Sequence, residues 1–275
     1  MRDENNPYAI KRKRLFPLEN IPEEVLIPRP GVPVKRSLTA EEQRKVDEVA
    51  VSRFHIPLSV LMEYAGLSVA NYCETIAASK NTPIHIFVGK GNNGGDGYVC
   101  ARLLFSRGYA VCVWTCFLEK KSDARLLRTV RDSVKALGIL VRPAALFDPL
   151  SFSGGVLRAL DARSGGVPCV IIDGILGSGF SAQRELSKEV RAVTEKIQLC
   201  RQKGARVLSI DVPSGVDATT GEAARGAVQA DATMTFLLPK EGLLKGEGKA
   251  LSGQLRVDTI GLPPNFADVA LDTIF

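Results

Sequence analysis

The chain has 275 residues, 45% of them hydrophobic and 24% charged, with a formal net charge of +6. That length suffices for one large core or two modest ones, and the composition is that of an ordinary soluble globular protein. No run of about 18 apolar residues occurs, which excludes a membrane-spanning helix. The first residues lack the apolar core of a secretion signal, and Asp3 and Glu4 disfavour a mitochondrial transit peptide, so the default location is the cytoplasm.

Residues 1–36 hold six of the fifteen prolines and no sustained periodicity, and they read as an extended arm. The basic run Lys11, Arg12, Lys13 and Arg14 within it reads as a solvated tail. It has no interleaved aromatic residues, which argues against a nucleic-acid partner. A first helix is expected over 38–54, where Thr39 and Glu42 have capping-box spacing and Val46, Val49, Ala50 and Phe54 form one apolar stripe. Pro57 opens a second helix over 57–79, since a proline in the first turn leaves no helical acceptor unserved. Beyond it the pattern alternates. Apolar strand-like runs occupy 84–89, 110–116, 167–174, 205–211 and 231–238, with helical segments over 122–138 and 183–204 between them. Short, nearly continuous apolar strands alternating with amphipathic helices predict a mostly parallel sheet covered on both faces. The expectation is one α/β domain over 37–275.

Cys73, Cys100, Cys112, Cys116, Cys169 and Cys200 read as free buried thiols in a chain of this length without a secretion signal. With no CxxC pair and only His55 and His85 available, zinc is disfavoured.

In an open parallel sheet, ligands bind outside the carboxyl ends of the strands, and three such ends carry unusual chemistry. The first is GKGNNGGDG, residues 89–97. Gly89, Gly91 and Gly94 match the dinucleotide pattern G-x-G-x-x-G. The acidic residue that pattern wants at the end of the next strand is missing, because Glu119 lies past it. Glycines let backbone N–H groups approach an anion at a helix start, while Asn92, Asn93 and Asp96 add side-chain oxygens. Asp96 alone could simply cap a helix beginning near Gly95. The second end carries Asp173, followed by Gly174, Gly177 and Gly179; a helix cap is as good a reading of Asp173 as a ligand contact. The third carries Asp211, Pro213, Ser214, Gly215 and Asp217. No histidine lies nearby, so Ser214 fits an oxygen ligand better than a triad nucleophile, and Asp211 fits a general acid or base if burial raises its pKa. Oxygen ligands with little histidine favour a hard cation and a polyhydroxylated ligand.

These loops occur in order with LMEYAGLSVA, GKGNNGGDGYVCARLL, IIDGILGSG, SIDVPSGVDATTGE and TFLLPKEGLLKGEGKALSGQLRVDTIGL. Together they resemble the NAD(P)H-hydrate epimerase family, the YjeF N-terminal domain, most closely its bacterial form, over roughly residues 37–262. The NNGGDG and DVPSG motifs are a specific pair. The resemblance implies a Rossmann-like three-layer αβα sandwich, commonly homodimeric, with a bound potassium ion. It implies epimerisation of hydrated NADH and NADPH at C6, supplying the S form to a separate dehydratase. Carried over by position, it puts Asn92, Asn93, Gly94, Gly95 and Asp96, the segment Gly177, Ser178, Gly179, Phe180, Ser181, Ala182 and Gln183, and Asp211 at the substrate. It puts Asn93, Asp173 and Ser214 on potassium, and Asp211 and Lys240 in catalysis. Lys90 and Tyr64 depart from the usual family residues at positions that carry no assigned oxygen ligand. The chain is too short to include the dehydratase to which bacterial members are often fused; that activity is expected from another chain, or from a longer protein of which this is part. Two other readings remain at this point: a non-catalytic RNA-associated scaffold of the same fold, and a Rossmann oxidoreductase that binds intact NAD(P).

Overall fold

Runs too apolar to face water on either side build the centre of the molecule. The computed structural model describes residues 37–120, 123–149, 169–263 and 265–272; the expected arm, 1–36, lies outside the described residues. Strands β1 (Ile84–Val88), β2 (Val111–Thr115), β4 (Val170–Gly174) and β6 (Ala232–Phe236) are buried at every position, and β5 (Arg206–Ile210) at all but its first. These are the five strands expected from the sequence. Two more, β3 (Leu140–Pro143) and β7 (Gln254–Asp258), close the edges. Arg142, Pro143, Gln254, Arg256 and Asp258 break their apolar patterns, as suits edge strands that must not recruit further chains. The order among the described residues is β3-β2-β1-β4-β5-β6-β7, parallel throughout.

Alternation along each strand splits the core in two. Ile84, Ile86 and Val88 join Val113, Ile172, Leu208 and Ile210 on one face, while Phe87 joins Trp114, Ile171 and Val207 on the other. The first face is covered by α2 (Leu58–Ile76), α3 (Asn92–Ser106) and α4 (Arg125–Ala136), which supply Val69, Cys73, Leu104, Leu127 and Val134. The second is covered by α5 (Lys188–Gln202) through Val193, Ile197 and Cys200. The result is the expected three-layer αβα sandwich. The six cysteines form no disulfide among the described residues, and no helix among those residues is long and apolar enough to cross a membrane.

The helix α1 (Ala40–Ser52) begins with the expected capping box: Glu42 N–H donates to Thr39 Oγ1 at 3.1 Å, and Thr39 N–H donates to Glu42 Oε2 at 2.9 Å. Of its expected stripe, Val46 and Ala50 are buried; Phe54 lies beyond the helix end and stacks edge-on against Phe266 of α6 (Phe266–Asp272). Just before α1, Leu38 exchanges backbone hydrogen bonds with Pro239 and Glu241, both 2.9 Å. The amide of Ala40 donates to Thr219 Oγ1 at 3.0 Å. The first helix is thereby tied to loops at the far end of the sheet. Replacing Thr39 with alanine removes one cap and is expected to cost about 1 kcal/mol. That is checked by a lower urea midpoint at unchanged slope.

Candidate active site

The strand order reverses between β1 and β4, and the loops after these two strands frame the crevice where a doubly wound sheet binds its ligand. Glycine is required there by contact. A Cβ on Gly89 would lie 1.8 Å from the Ile175 carbonyl oxygen, and one on Gly94 would lie 1.9 Å from the Gly89 carbonyl oxygen. The first loop is thus pressed against the second and against its own helix.

The helix α3 starts at Asn92, three residues earlier than Gly95, with Gly91 as its N-cap. Asp96 is therefore beyond the first turn, and the capping explanation for it fails. It is buried on the cavity wall. Burial first, then the nearby charges of Asp211 and Asp47, pushes its carboxyl well above the ordinary range. Asp173 is no helix cap either: the next described helix begins at Lys188, capped by Ser187. Its fully buried carboxylate accepts from Ser209 Oγ (2.9 Å), the Ser214 amide (2.9 Å), Ser214 Oγ (2.5 Å) and the Ile175 amide (3.3 Å). Burial still raises its pKa against these four donors.

The Asn93 side chain donates to the Leu176 carbonyl at 2.8 Å, leaving its Oδ1 buried with no hydrogen-bond partner. Ser214 Oγ accepts from the Leu176 amide at 2.9 Å and lies 3.3 Å from its carbonyl oxygen. Asn93, Asp173, Ser214 and the Leu176 carbonyl thus meet at one junction. This donor set, all oxygen, with one carboxylate and one orphaned amide oxygen, fits a monovalent hard cation by type and by charge.

Asp211 follows β5 in the left-handed region, at φ 63. Its Oδ1 lies 3.0 Å from the Nζ of the fully buried Lys240 and 3.2 Å from Thr235 Oγ1, which donates to it; its Oδ2 accepts from the Ser178 amide at 3.0 Å. Burial works to raise this carboxyl, but the Lys240 charge and the donors from Lys240 and Ser178 outweigh it and hold the group below the usual range. Lys240 also donates to the Phe236 carbonyl at 2.8 Å.

A cavity of about 1200 Å³ opens over this floor. That exceeds the roughly 300–1,000 Å³ of ordinary ligand pockets. Its walls include Asn92, Asn93, Asp96, Asp211, Lys240 and the run Gly177, Ser178, Gly179, Phe180 and Ser181, with Arg44, Lys90 and Arg184 as cations. Gly94 and Gly95 sit beneath it, where Gly95 faces Met62. Asp173 and Ser214 lie below the wall, and Ala182 and Gln183 are outside the lining; the Ala182 amide is held by Asp217 Oδ2 at 3.0 Å. Glu119, the displaced acid after β2, is paired with Lys135 and Arg131 and does not line the cavity. Among the lining residues that escaped the sequence reading are Gln43, Arg44 and Asp47 of α1. Polar and charged residues on a capped, amphipathic helix read as solvent-facing, and only the docking of α1 shows otherwise.

A doubly wound sheet with an acid-lined, nucleotide-sized cavity at its switch point defines a Rossmann-like ligand-binding domain equipped for proton transfer. A family model described as the YjeF-related protein N-terminus matches residues 58–242. The chain is 36% identical over 229 residues to the bifunctional NAD(P)H-hydrate repair enzyme Nnr of Moorella thermoacetica, covering 82% of this chain and 40% of that protein. It is 30% identical over 228 residues to the NAD(P)H-hydrate epimerase of Rhodopirellula baltica, covering 82% of this chain and 84% of that one. The crystal structure of yeast ynu0 shares the fold, with a TM-score of 0.68 at 20% identity over 86% of this chain and 93% of that one. The chain belongs to the YjeF N-terminal family.

The Asp96 carboxyl carries a sign that melting curves can read. Its folded pKa lies above the unfolded value of about 3.9, so its contribution to stability is present below that value and is lost as pH rises through the folded pKa. The stability of Asp96→Asn relative to the unsubstituted protein is expected to improve as pH rises above about 4, measured by denaturant titration. A variant whose stability stays constant or falls relative to the unsubstituted protein as pH rises contradicts the assignment.

Proposed function

We propose that this chain interconverts the R and S forms of hydrated NADH and NADPH at C6 of the damaged nicotinamide ring. The observation that carries the reading is the buried Asp211–Lys240 pair on the cavity floor, a carboxylate held below its ordinary range in the same cavity as Asp96, whose carboxyl burial raises. Environments that push neighbouring carboxyls apart in pKa mark an acid and a base. C6 of the hydrate bears a hydroxyl next to the ring nitrogen. Protonating that hydroxyl lets water leave as the nitrogen lone pair forms an iminium-like cation, and water returning to the opposite face inverts the centre. Asp211 handles a proton of these waters, with Lys240 holding its carboxylate ionised and Asp96 donating a hydrogen bond. Arg44, Lys90 and Arg184 and the glycine-lined start of α3 suit the phosphates of the nucleotide. The family relationship and the names of its curated relatives support the same substrate class.

Within this proposal, Asn93 Oδ1, Asp173 and Ser214 would hold a potassium ion. When bound, it supplies the positive charge that balances Asp173 and fixes the junction of the three loops. The homodimer, and coupling to a dehydratase on a separate domain or chain, belong to the same proposal.

With the R epimer and an S-specific dehydratase, the protein is expected to accelerate recovery of the reduced cofactor. Asp211→Asn is expected to lower that rate about 10²–10⁴-fold without unfolding the protein. Recovery no faster than with dehydratase alone overturns the function. Replacing potassium by choline at equal ionic strength is expected to lower the melting temperature of the unsubstituted protein, and to leave that of Asn93→Ala unchanged. Equal response in both overturns the cation site.

A further inference from the structure

We propose that Asp47, on the first helix, is a further acid/base residue of this epimerisation, exchanging protons with the substrate from a different element of the fold than Asp211. The inference rests on the proposed function and deepens it. Inversion at C6 requires water to leave one face of the ring and return to the other, so protons must be handled at two places. Asp211 is pinned by Lys240, Thr235 and Ser178, on a backbone held in the left-handed region. A carboxylate so restrained serves one face. The second group must come from another element.

Asp47 meets that requirement. It lines the cavity from α1, and Oδ1 accepts from Gln43 Nε2 at 2.9 Å, one helical turn earlier. Gln43 is itself 6% exposed and lines the cavity, and its Oε1 is buried with no hydrogen-bond partner. An orphaned acceptor on a cavity wall is a place for a ligand donor, and the carboxamide or hydroxyl of the hydrated ring offers one. The helix is fixed relative to the catalytic lysine by the Leu38 backbone pairing on either side of Lys240. The groups that act on Asp47 are Gln43 and Glu48 of its own helix, Lys240 after β6 and Asp211 after β5; Asp96 of α3 is in turn raised by the Asp47 charge. Burial raises Asp47 to about 6. That value lets the group cycle between forms at working pH. Asp47 is also only half-buried, open through the cavity to solvent for proton exchange.

The step balances. Asp47 gives its proton to the C6 hydroxyl, the C–O bond breaks with its electron pair leaving on water, and the nitrogen lone pair forms the N=C bond. Water then adds at the other face, the π pair returns to nitrogen, and the excess proton passes to Asp211. The reverse turnover, or exchange with solvent, restores both carboxyls.

The test is the pH dependence of kcat for interconversion of separated epimers by the unsubstituted protein, Asp47→Asn, Asp47→Glu and Gln43→Leu, each with its melting temperature recorded. Asp47→Asn is expected to lose about 100-fold or more in kcat at little change in KM, and to lose the limb centred near pH 6. Asp47→Glu is expected to recover part of the rate and the limb, and Gln43→Leu to displace the limb. Unchanged kcat and an unchanged limb in a folded Asp47→Asn overturn the inference. So does a change confined to KM or melting temperature in all three variants. No epimerisation by the unsubstituted protein overturns the proposed function instead.

Discussion

The ion pair between Asp211 and Lys240 is the constraint around which the cavity is arranged. Taking both charges out of water is costly, and the pair survives because each partner has further bonds: Thr235 and Ser178 on the carboxylate, the Phe236 carbonyl on the ammonium. Those bonds reach in three directions. Ser178 brings the loop after β4 onto the end of β5. Thr235 fixes β6 beside it, and the backbone flanking Lys240 pairs with Leu38, which sets the position of the first helix. Asp211 adopts φ 63, a conformation that side chains with a Cβ avoid. Strain and buried charge at one residue are the pattern of a site selected for chemistry rather than for stability.

Around that pair the environments of the carboxyls diverge. Lysine and an amide hold Asp211 down, while burial raises Asp96 and Asp47. The cavity lining therefore presents one carboxyl held below its ordinary range and two raised above it. Below them, Asp173 is kept away from the cavity by four donors and serves the junction of the three loops. Close approach makes this possible: with any side chain at Gly89 or Gly94 the first loop could not lie against the second.

The five inner strands were legible in the sequence because each is buried on both faces and leaves an unbroken apolar run. The edge strands β3 and β7 carry Arg142 and Arg256 toward solvent and leave no such run. Thr39 and Glu42 announced the start of α1, since a cap is a local device. The start of α3 was misplaced because glycine disfavours helix, so Asn92-Asn93-Gly94-Gly95-Asp96-Gly97 reads as a loop. Tertiary contact overrides that propensity: a Cβ on Gly97 would lie 2.8 Å from Val88 Cγ1. The carboxylates at the ends of β4 and β5 were found from their position after strands. Gln43 and Asp47 were not, because their meaning arises only when α1 docks over the cavity.

The most direct test of the account follows a separated epimer of the hydrated cofactor in water enriched in the heavy oxygen isotope. If water leaves C6 and returns on the other face, each inversion catalysed by this protein incorporates one labelled oxygen, at a rate well above the uncatalysed exchange. Inversion without label, or label and inversion no faster than in buffer, would contradict it.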